Sequence, residues 1–279
     1  METSLTNRLE VWQLSASRAI QPAVATAMTL RFEKPDRAAW LKGGETRCNL
    51  APSIPARPRR IVLLGAPGVG KGTQAELLAG RLNTCHLATG DVFRDAKNLS
   101  ERKRTPTLNS ALKHMRLGEL VPEEIILNLI VERSHCLHCK GGFILDGFPR
   151  TVRQAEVLDK LLTAEDLRLD RALHYELPLE TVIARLGGRR VCAGCQAVFH
   201  VATRRPRIKN ICDHCGTRLE QRDDDRPECI QVRMQQYQEQ SAPVVDYYRS
   251  QEIFLSLNAE GSPEEVFERT LTALQKTQS

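Results

Sequence analysis

The chain has 279 residues, 41% of them hydrophobic, enough for one α/β domain with a sizeable core and an added segment; no apolar run approaches the roughly 20 residues a membrane helix needs. The net charge is +6, but ten of the 40 Lys+Arg and five of the 34 Asp+Glu fall in residues 1–60. The rest is almost neutral, which excludes a general nucleic-acid surface with basic side chains spread over a face. Nine cysteines with no signal peptide ahead of them argue for metal ligation in a cytoplasmic protein rather than a secreted disulfide framework.

Residues 1–58 differ in composition from the remainder of the chain. Val11 to Leu30 is rich in Ala, Ser and Thr and suits a weak amphipathic helix; Lys42 to Arg60 is a linker bearing Gly, Pro and Arg. Glu2, Glu10, Glu33 and Asp36 argue against a transit peptide. The segment reads as a flexible extension, either a disordered tail or the result of a start placed upstream of Met28, and it carries no assigned function.

Ile61 to Leu64 is an apolar strand, and Gln74 to Leu82 has a helical pattern. Between them runs Gly65-Ala66-Pro67-Gly68-Val69-Gly70-Lys71-Gly72-Thr73. Strand, glycine-rich turn and helix form the context of a phosphate-binding loop. Backbone N–H groups converge on phosphate oxygens there, the helix N-terminus adds positive charge, and Lys71 reaches the terminal phosphates. The usual pattern has Ser or Thr directly after the lysine; here Gly72 takes that place and Thr73 comes one later.

The pattern then alternates. Cys85 to Ala88 is a short strand, and helices are expected at about 108–117 and 122–133. Gly142 to Asp146 is a buried strand ending in a carboxylate. Gln154 to Leu162 is a helix, Ala172 to Leu177 a strand, and Leu179 to Leu186 a helix. Glu228 to Tyr248 is helical with an interruption at Pro243. Ile253 to Leu257 is the last strand, and Ser262 to Glu265 opens the last helix with a capping box and a proline at its first position. Five strands alternating with helices predict an α/β fold, a parallel sheet covered on both faces, with ligands at the carboxyl ends of its strands.

Cys192-x₂-Cys195 and Cys212-x₂-Cys215, sixteen residues apart, have zinc-ribbon spacing. Four thiolates make a closed structural site, so His200 and His214 nearby are not needed as ligands. The cluster His135-Cys136-Leu137-His138-Cys139 reads as a surface loop without metal. Cys48, Cys85 and Cys229 read as ordinary thiols.

Seven motifs stand in order along the chain: GAPGVGKGTQA at 65–75, TGD at 89–91 with Arg94, LVPEE at 120–124, DGFPRT at 146–151, RLGGRR at 185–190, QRDDD at 221–225 and VVDYY at 244–248. In this ordered set the chain resembles adenylate kinases of the long-lid, zinc-containing form over about residues 60–279, a family in which GKGT replaces GK[ST]. The resemblance implies a P-loop kinase fold over 59–279, with a five-stranded parallel sheet, an inserted AMP-binding helical segment at about 89–121 and a zinc-ribbon lid at about 188–224. It implies the reaction ATP + AMP ⇌ 2 ADP with Mg²⁺, a structural Zn²⁺ on Cys192, Cys195, Cys212 and Cys215, and a monomer without nucleic-acid or membrane partners.

By the same resemblance, Gly68, Val69, Gly70, Lys71, Gly72 and Thr73 hold the ATP phosphates. Arg185 and Arg189 close over them, and Val198, Phe199 and Gly261 contact the ATP base. Thr89, Arg94, Glu119, Leu120, Val121, Gly147, Phe148, Pro149, Arg150 and Gln154 form the AMP side. Arg222 and Arg233 clamp the phosphates between the two sites, and Asp91 and Asp146 hold the hydrated Mg²⁺. Lys71, Arg150, Arg185, Arg189, Arg222 and Arg233 are the implied catalytic cations. Their chemistry agrees, since phosphoryl transfer asks the protein for in-line positioning and charge neutralisation. Phe93 stands where the family has Leu, and 95–109 is less regular than usual, both on the AMP side. A UMP or CMP kinase is the first rival reading, and a non-catalytic nucleotide-binding zinc-ribbon module the second.

Overall fold

The structure is a computed structural model describing residues 37–43, 46, 57–116 and 121–276. A short helix, α1 (Ala38–Lys42), precedes β1 (Arg59–Leu64), the glycine loop and α2 (Lys71–Leu82). β2 (Cys85–Ala88) runs directly into α3 (Thr89–Asn98), followed by α4 (Pro106–Arg116) and α5 (Glu123–Val131). The chain returns through β3 (Gly142–Asp146), α6 (Val152–Ala164), β4 (Arg171–Glu176) and α7 (Leu179–Gly188). Three short strands, β5 (Arg189–Cys192), β6 (Val198–His200) and β7 (Leu219–Glu220), make a separate antiparallel sheet in the order β6-β5-β7. Then come α8 (Pro227–Gln236), α9 (Ala242–Arg249), β8 (Phe254–Asn258) and α10 (Pro263–Lys276).

The main sheet has the order β2-β3-β1-β4-β8, and all its pairs are parallel. β1 lies at its centre, and its side chains alternate between two cores because successive residues of a strand point to opposite faces. Val62 and Leu64 join the cluster with Leu87, Phe143, Leu145 and Tyr248; Ile61 and Leu63 join the one with Leu78, Ile144, Tyr175 and Phe267. Burial on both faces explains why β1 reads as an unbroken apolar run. β3 flanks β1 on one side and β4 on the other, so the crevice at the carboxyl ends opens beside β1.

Several expectations need correction. The residue pattern does not mark α3, which falls within the helical segment the resemblance implies at about 89–121; its buried Val92 and Ala96 are diluted by polar neighbours, which hides the periodicity. Between α8 and α9, a π-helical turn, Tyr237–Ser241, takes up the break at Pro243, whose missing N–H cannot continue an α-helical ladder. The cluster at 135–139 is not a surface loop. It belongs to a 3₁₀ turn, Ser134–His138, that buries Cys136 and Leu137, and Cys139 forms a disulfide with Cys85, so Cys85 is not an ordinary thiol. Cys48 lies outside the described residues.

A flexible extension through residue 58 is also too simple. Trp40 is 1% exposed and belongs to the core with Leu87, Val92 and Phe148. Its indole N–H donates to the Ala88 carbonyl at 3.0 Å. Arg133, 0% exposed, donates through Nε to the Trp40 carbonyl at 2.8 Å. The helix is too short for a periodic signal, which is why the sequence did not announce this docking. No helix among the described residues is long and apolar enough to cross a membrane. Trp40→Ala is expected to cost about 3–5 kcal/mol, measured as a lower midpoint in urea unfolding; an unchanged midpoint would mean that α1 does not dock.

Candidate active site

The glycine loop emerges from the carboxyl end of β1. Gly65 has φ +130°, and a Cβ there would lie 2.5 Å from the Tyr175 carbonyl oxygen, so neither the conformation nor the space admits a side chain. Gly70, at φ 111°, turns the chain into α2, whose first N–H groups point back into the loop. A Cβ on Gly72 would sit 3.3 Å from Asp146 Oδ2, which accounts for a glycine where hydroxyl residues are common. Lys71 Nζ donates to the carbonyls of Gly65 at 2.7 Å and Ala66 at 2.9 Å, so the loop holds its own lysine at the mouth.

Around this lysine gather five arginines. Lys71 feels Arg150, Arg189 and Arg233; Arg150 feels Arg233 and Arg94; Arg222 feels Arg189 and Arg94. Desolvation, and then these like charges, push the Lys71 ammonium down to about 8 and the Arg222 guanidinium down to about 10. Arg150 is lowered for the same two reasons. Arg222 Nε is buried without a hydrogen-bond partner. Such a cluster fits a polyanion.

Four carboxylates organise the cations, Asp224 through an ion pair with Arg233 at 2.9 Å. Asp225, 0% exposed, accepts from Arg189 Nε at 2.7 Å and Nη2 at 2.6 Å and from Arg233 Nη1 at 3.0 Å. Burial alone would raise the Asp146 carboxyl, but His86, 3.7 Å away, and Lys71 hold it below the usual range. Asp91 gives one oxygen to Arg94 and the other to Arg37, at 2.5 Å for the latter. Burial pushes its carboxyl up, but Arg37 and Arg94 together outweigh that and hold it at about 2.

On the far side of the crevice, Thr89 Oγ1 donates to the Gly147 carbonyl at 3.1 Å, and Arg150 Nε donates to the same oxygen at 2.8 Å. The Arg150 backbone N–H donates to Gln154 Oε1 at 2.8 Å, and Gln154 is 5% exposed. The turn between them contains a cis Phe148–Pro149 bond, with Phe148 in the core. Thr89, Arg94, Gly147, Arg150 and Gln154 are thus brought together. Val121 leads into α5, whereas Glu119 and Leu120 lie outside the described residues.

Arg185 stands apart from the cation cluster. It donates to the carbonyls of Val69 at 3.2 Å, Ala259 at 3.1 Å and Gly261 at 3.3 Å, tying the glycine loop to the turn after β8. Phe199 belongs to the core of the small antiparallel module. It is 3% exposed and packs with Cys192, Cys212 and Leu219, because the small antiparallel module has no other Phe, Tyr or Trp for its core; Val198 is half-buried beside it.

The sulfurs of Cys192, Cys195, Cys212 and Cys215 lie within 4.8 Å of one another, the only such cluster among the described residues. The Cys195 N–H donates to Cys192 Sγ and the His214 N–H to Cys212 Sγ, each at 3.4 Å. Backbone N–H donors to thiolates orient metal-binding sulfurs, so the donor set fits a tetrahedral zinc ion.

Sequence reasoning passed over three residues of the site. Asp225 lies in the QRDDD motif but looks no different there from Asp223 and Asp224. His86 is one residue of a four-residue strand, and Arg37 belongs to a segment without pattern.

Comparison with known proteins agrees with this geometry. A family model described as adenylate kinase matches residues 63–253. The chain is 44% identical over 220 residues to the adenylate kinase of Streptomyces coelicolor, covering 78% of this chain and 100% of that one. It is 43% identical over 218 residues to that of Streptomyces avermitilis, covering 78% and 97%. It is 42% identical over 217 residues to that of Carboxydothermus hydrogenoformans, covering 78% and 100%. With the family model and these relatives spanning the glycine loop, the cation cluster and most of its length, this chain belongs to the adenylate kinase family.

Proposed function

We propose that the crevice holds ATP and AMP with their phosphates facing each other and catalyses ATP + AMP ⇌ 2 ADP. The observation that carries this reading is the convergence of Lys71, Arg94, Arg150, Arg189, Arg222 and Arg233 on one cleft, where desolvation and neighbouring cations together lower the basicity of Lys71, Arg150 and Arg222. Two nucleotides bring the anionic charge that such a cluster lacks.

In this reading Gly68 to Thr73 cradle the ATP phosphates with backbone N–H groups, and Lys71 stays with the transferred group. Arg94 and Arg150 hold the AMP phosphate. Arg189, Arg222 and Arg233 lie between the two and stabilise the charge that spreads over the moving phosphoryl group; a single arginine in that role is worth about 10³–10⁵ in rate. Asp225 keeps Arg189 and Arg233 at a fixed spacing, so their orientation is set before substrate arrives. Arg185, beside the glycine loop, closes over the ATP phosphates, Val198, Phe199 and Gly261 border the ATP base, and Thr89, Gly147 and Gln154 border AMP. The AMP phosphate is already anionic, so no general base is required. Water is the competing nucleophile, and the ribbon that carries Arg189 at its start is suited to exclude it.

The site fits Mg²⁺ through its carboxylates. Asp146 lies beside Lys71 and the Gly72 backbone, and Asp91 stands just past the neighbouring strand end. The ion would neutralise phosphate charge. The four-cysteine cluster would hold a structural Zn²⁺ that supplies folding energy to a module with little core of its own. AMP is favoured over UMP or CMP by the shared name of the relatives. Phe93 also packs against the core as a leucine would. Both subsites are lined by one chain, which supports a monomer. A four-thiol zinc site is best kept in the reducing cytoplasm, although the Cys85–Cys139 bond itself forms more readily in an oxidising compartment.

Assays of ADP formation from MgATP are expected to give turnover with AMP far above UMP, CMP or GMP. Lys71→Met should lower that turnover by about 10³-fold or more with the fold retained; near-normal turnover in the variant, or none with AMP in the wild type, would defeat the assignment. Because the unliganded Lys71 titrates near pH 8, kcat/KM for ATP should fall as pH rises past about 8. kcat should hold to higher pH, since bound phosphate raises the lysine's pKa again. Parallel pH profiles would contradict this. Elemental analysis should find about one zinc per chain, lost in Cys212→Ser; metal-free native protein would refute the ribbon.

A further inference from the structure

α1 lies outside the family match, which begins at residue 63, yet it reaches the catalytic crevice. Trp40 anchors it in the core and bonds the carbonyl of Ala88, the residue immediately before α3. Arg133 grips the Trp40 carbonyl from behind. This double anchor presents Arg37, whose side chain is 16% exposed, to Asp91 on the first turn of α3. Arg37 Nη2 donates to Asp91 Oδ2 at 2.5 Å, while Arg94, one turn further along α3, donates to Oδ1. One carboxylate therefore binds two guanidiniums, one from the site and one from the added segment.

We propose that Arg37 is a positioning residue for the AMP subsite, holding Asp91 so that Arg94 can turn from the carboxylate to the AMP phosphate. The inference rests on the assignment of Arg94 to that phosphate. Arg94 cannot serve the phosphate fully while Asp91 competes for it. Were Arg94 the carboxylate's only arginine, a binding phosphate would have to break that pair and leave a partly desolvated anion unpaired beside an incoming dianion. With Arg37 in place, Asp91 keeps a fixed cationic partner throughout, and the repulsion between carboxylate and phosphate is offset. The added N-terminal segment thereby adjusts affinity at one of the two nucleotide subsites without touching either nucleotide.

The test is steady-state kinetics on the full-length chain for Arg37→Ala, Arg37→Lys, Arg94→Ala, Asp91→Asn and the Arg37→Ala/Asp91→Asn pair, with thermal melts of each. Arg37→Ala is expected to raise KM for AMP about 5- to 20-fold, the range of one coupled charged contact, with KM for ATP within about twofold of wild type. Arg37→Lys should restore most of the loss because it keeps the charge. In the Asp91→Asn background, Arg37→Ala should add no further change. The proposal is overturned if Arg37→Ala leaves KM for AMP unchanged, if it moves both KM values together with a lowered melting temperature, or if its effect persists undiminished beside Asp91→Asn. If Arg94→Ala leaves KM for AMP unchanged, it is the assignment of the AMP subsite that fails, a result separable from any behaviour of Arg37.

Discussion

Six cationic side chains sharing one cleft repel one another, and the rest of the structure is arranged to bear that repulsion. Burial first, and that repulsion added to it, lower the basicity of Lys71, Arg150 and Arg222. Four carboxylates keep the cluster in place without neutralising it, Asp224 by pairing with Arg233. Asp225 takes two arginines, Asp146 faces the lysine, and Asp91 divides itself between Arg94 and Arg37. The carboxylates come from three separate parts of the chain, so the site forms only when the sheet, the turn after the ribbon and α3 are all in position.

The parallel sheet provides that assembly. β1 and β3 end side by side, with Leu63 opposite Asp146, so the glycine loop and the Asp146 carboxylate emerge together. β2 pairs with β3 so that Ala88 stands opposite Asp146, which places the start of α3 at the same rim. The connection of binding to fold is therefore one of register: a slip of one residue in the pairing of β1 with β3 would turn Asp146 away from Lys71.

What could be read from the chain alone depends on how local each signal is. The glycine loop, the four-cysteine spacing and the five strands are short patterns whose chemistry lies within a few neighbouring residues, and they were legible. α3 was not, because its apolar residues are few and interspersed with Asp91, Arg94 and Asp95, polar positions that break up a helical stripe. Among Asp223, Asp224 and Asp225, nothing local marks the one that turns inward. Trp40, Arg37 and the Cys85–Cys139 pair were illegible for a different reason. Each acquires its meaning from a partner about 50 residues away along the chain, and a single sequence does not display such distances.

The bond between Cys85 and Cys139 joins the beginning of β2 to the turn ahead of β3, at the edge of the sheet remote from the phosphates. The 54 residues it spans include α3, α4 and α5, so this helical lobe is a covalent ring closed at one point. Closing a ring of that size removes about 4 kcal/mol of chain entropy from the unfolded lobe. The lobe can then loosen and re-form as a unit, on the scale of a local opening, while its two ends stay fixed to adjacent strands and the sheet that carries the glycine loop remains intact.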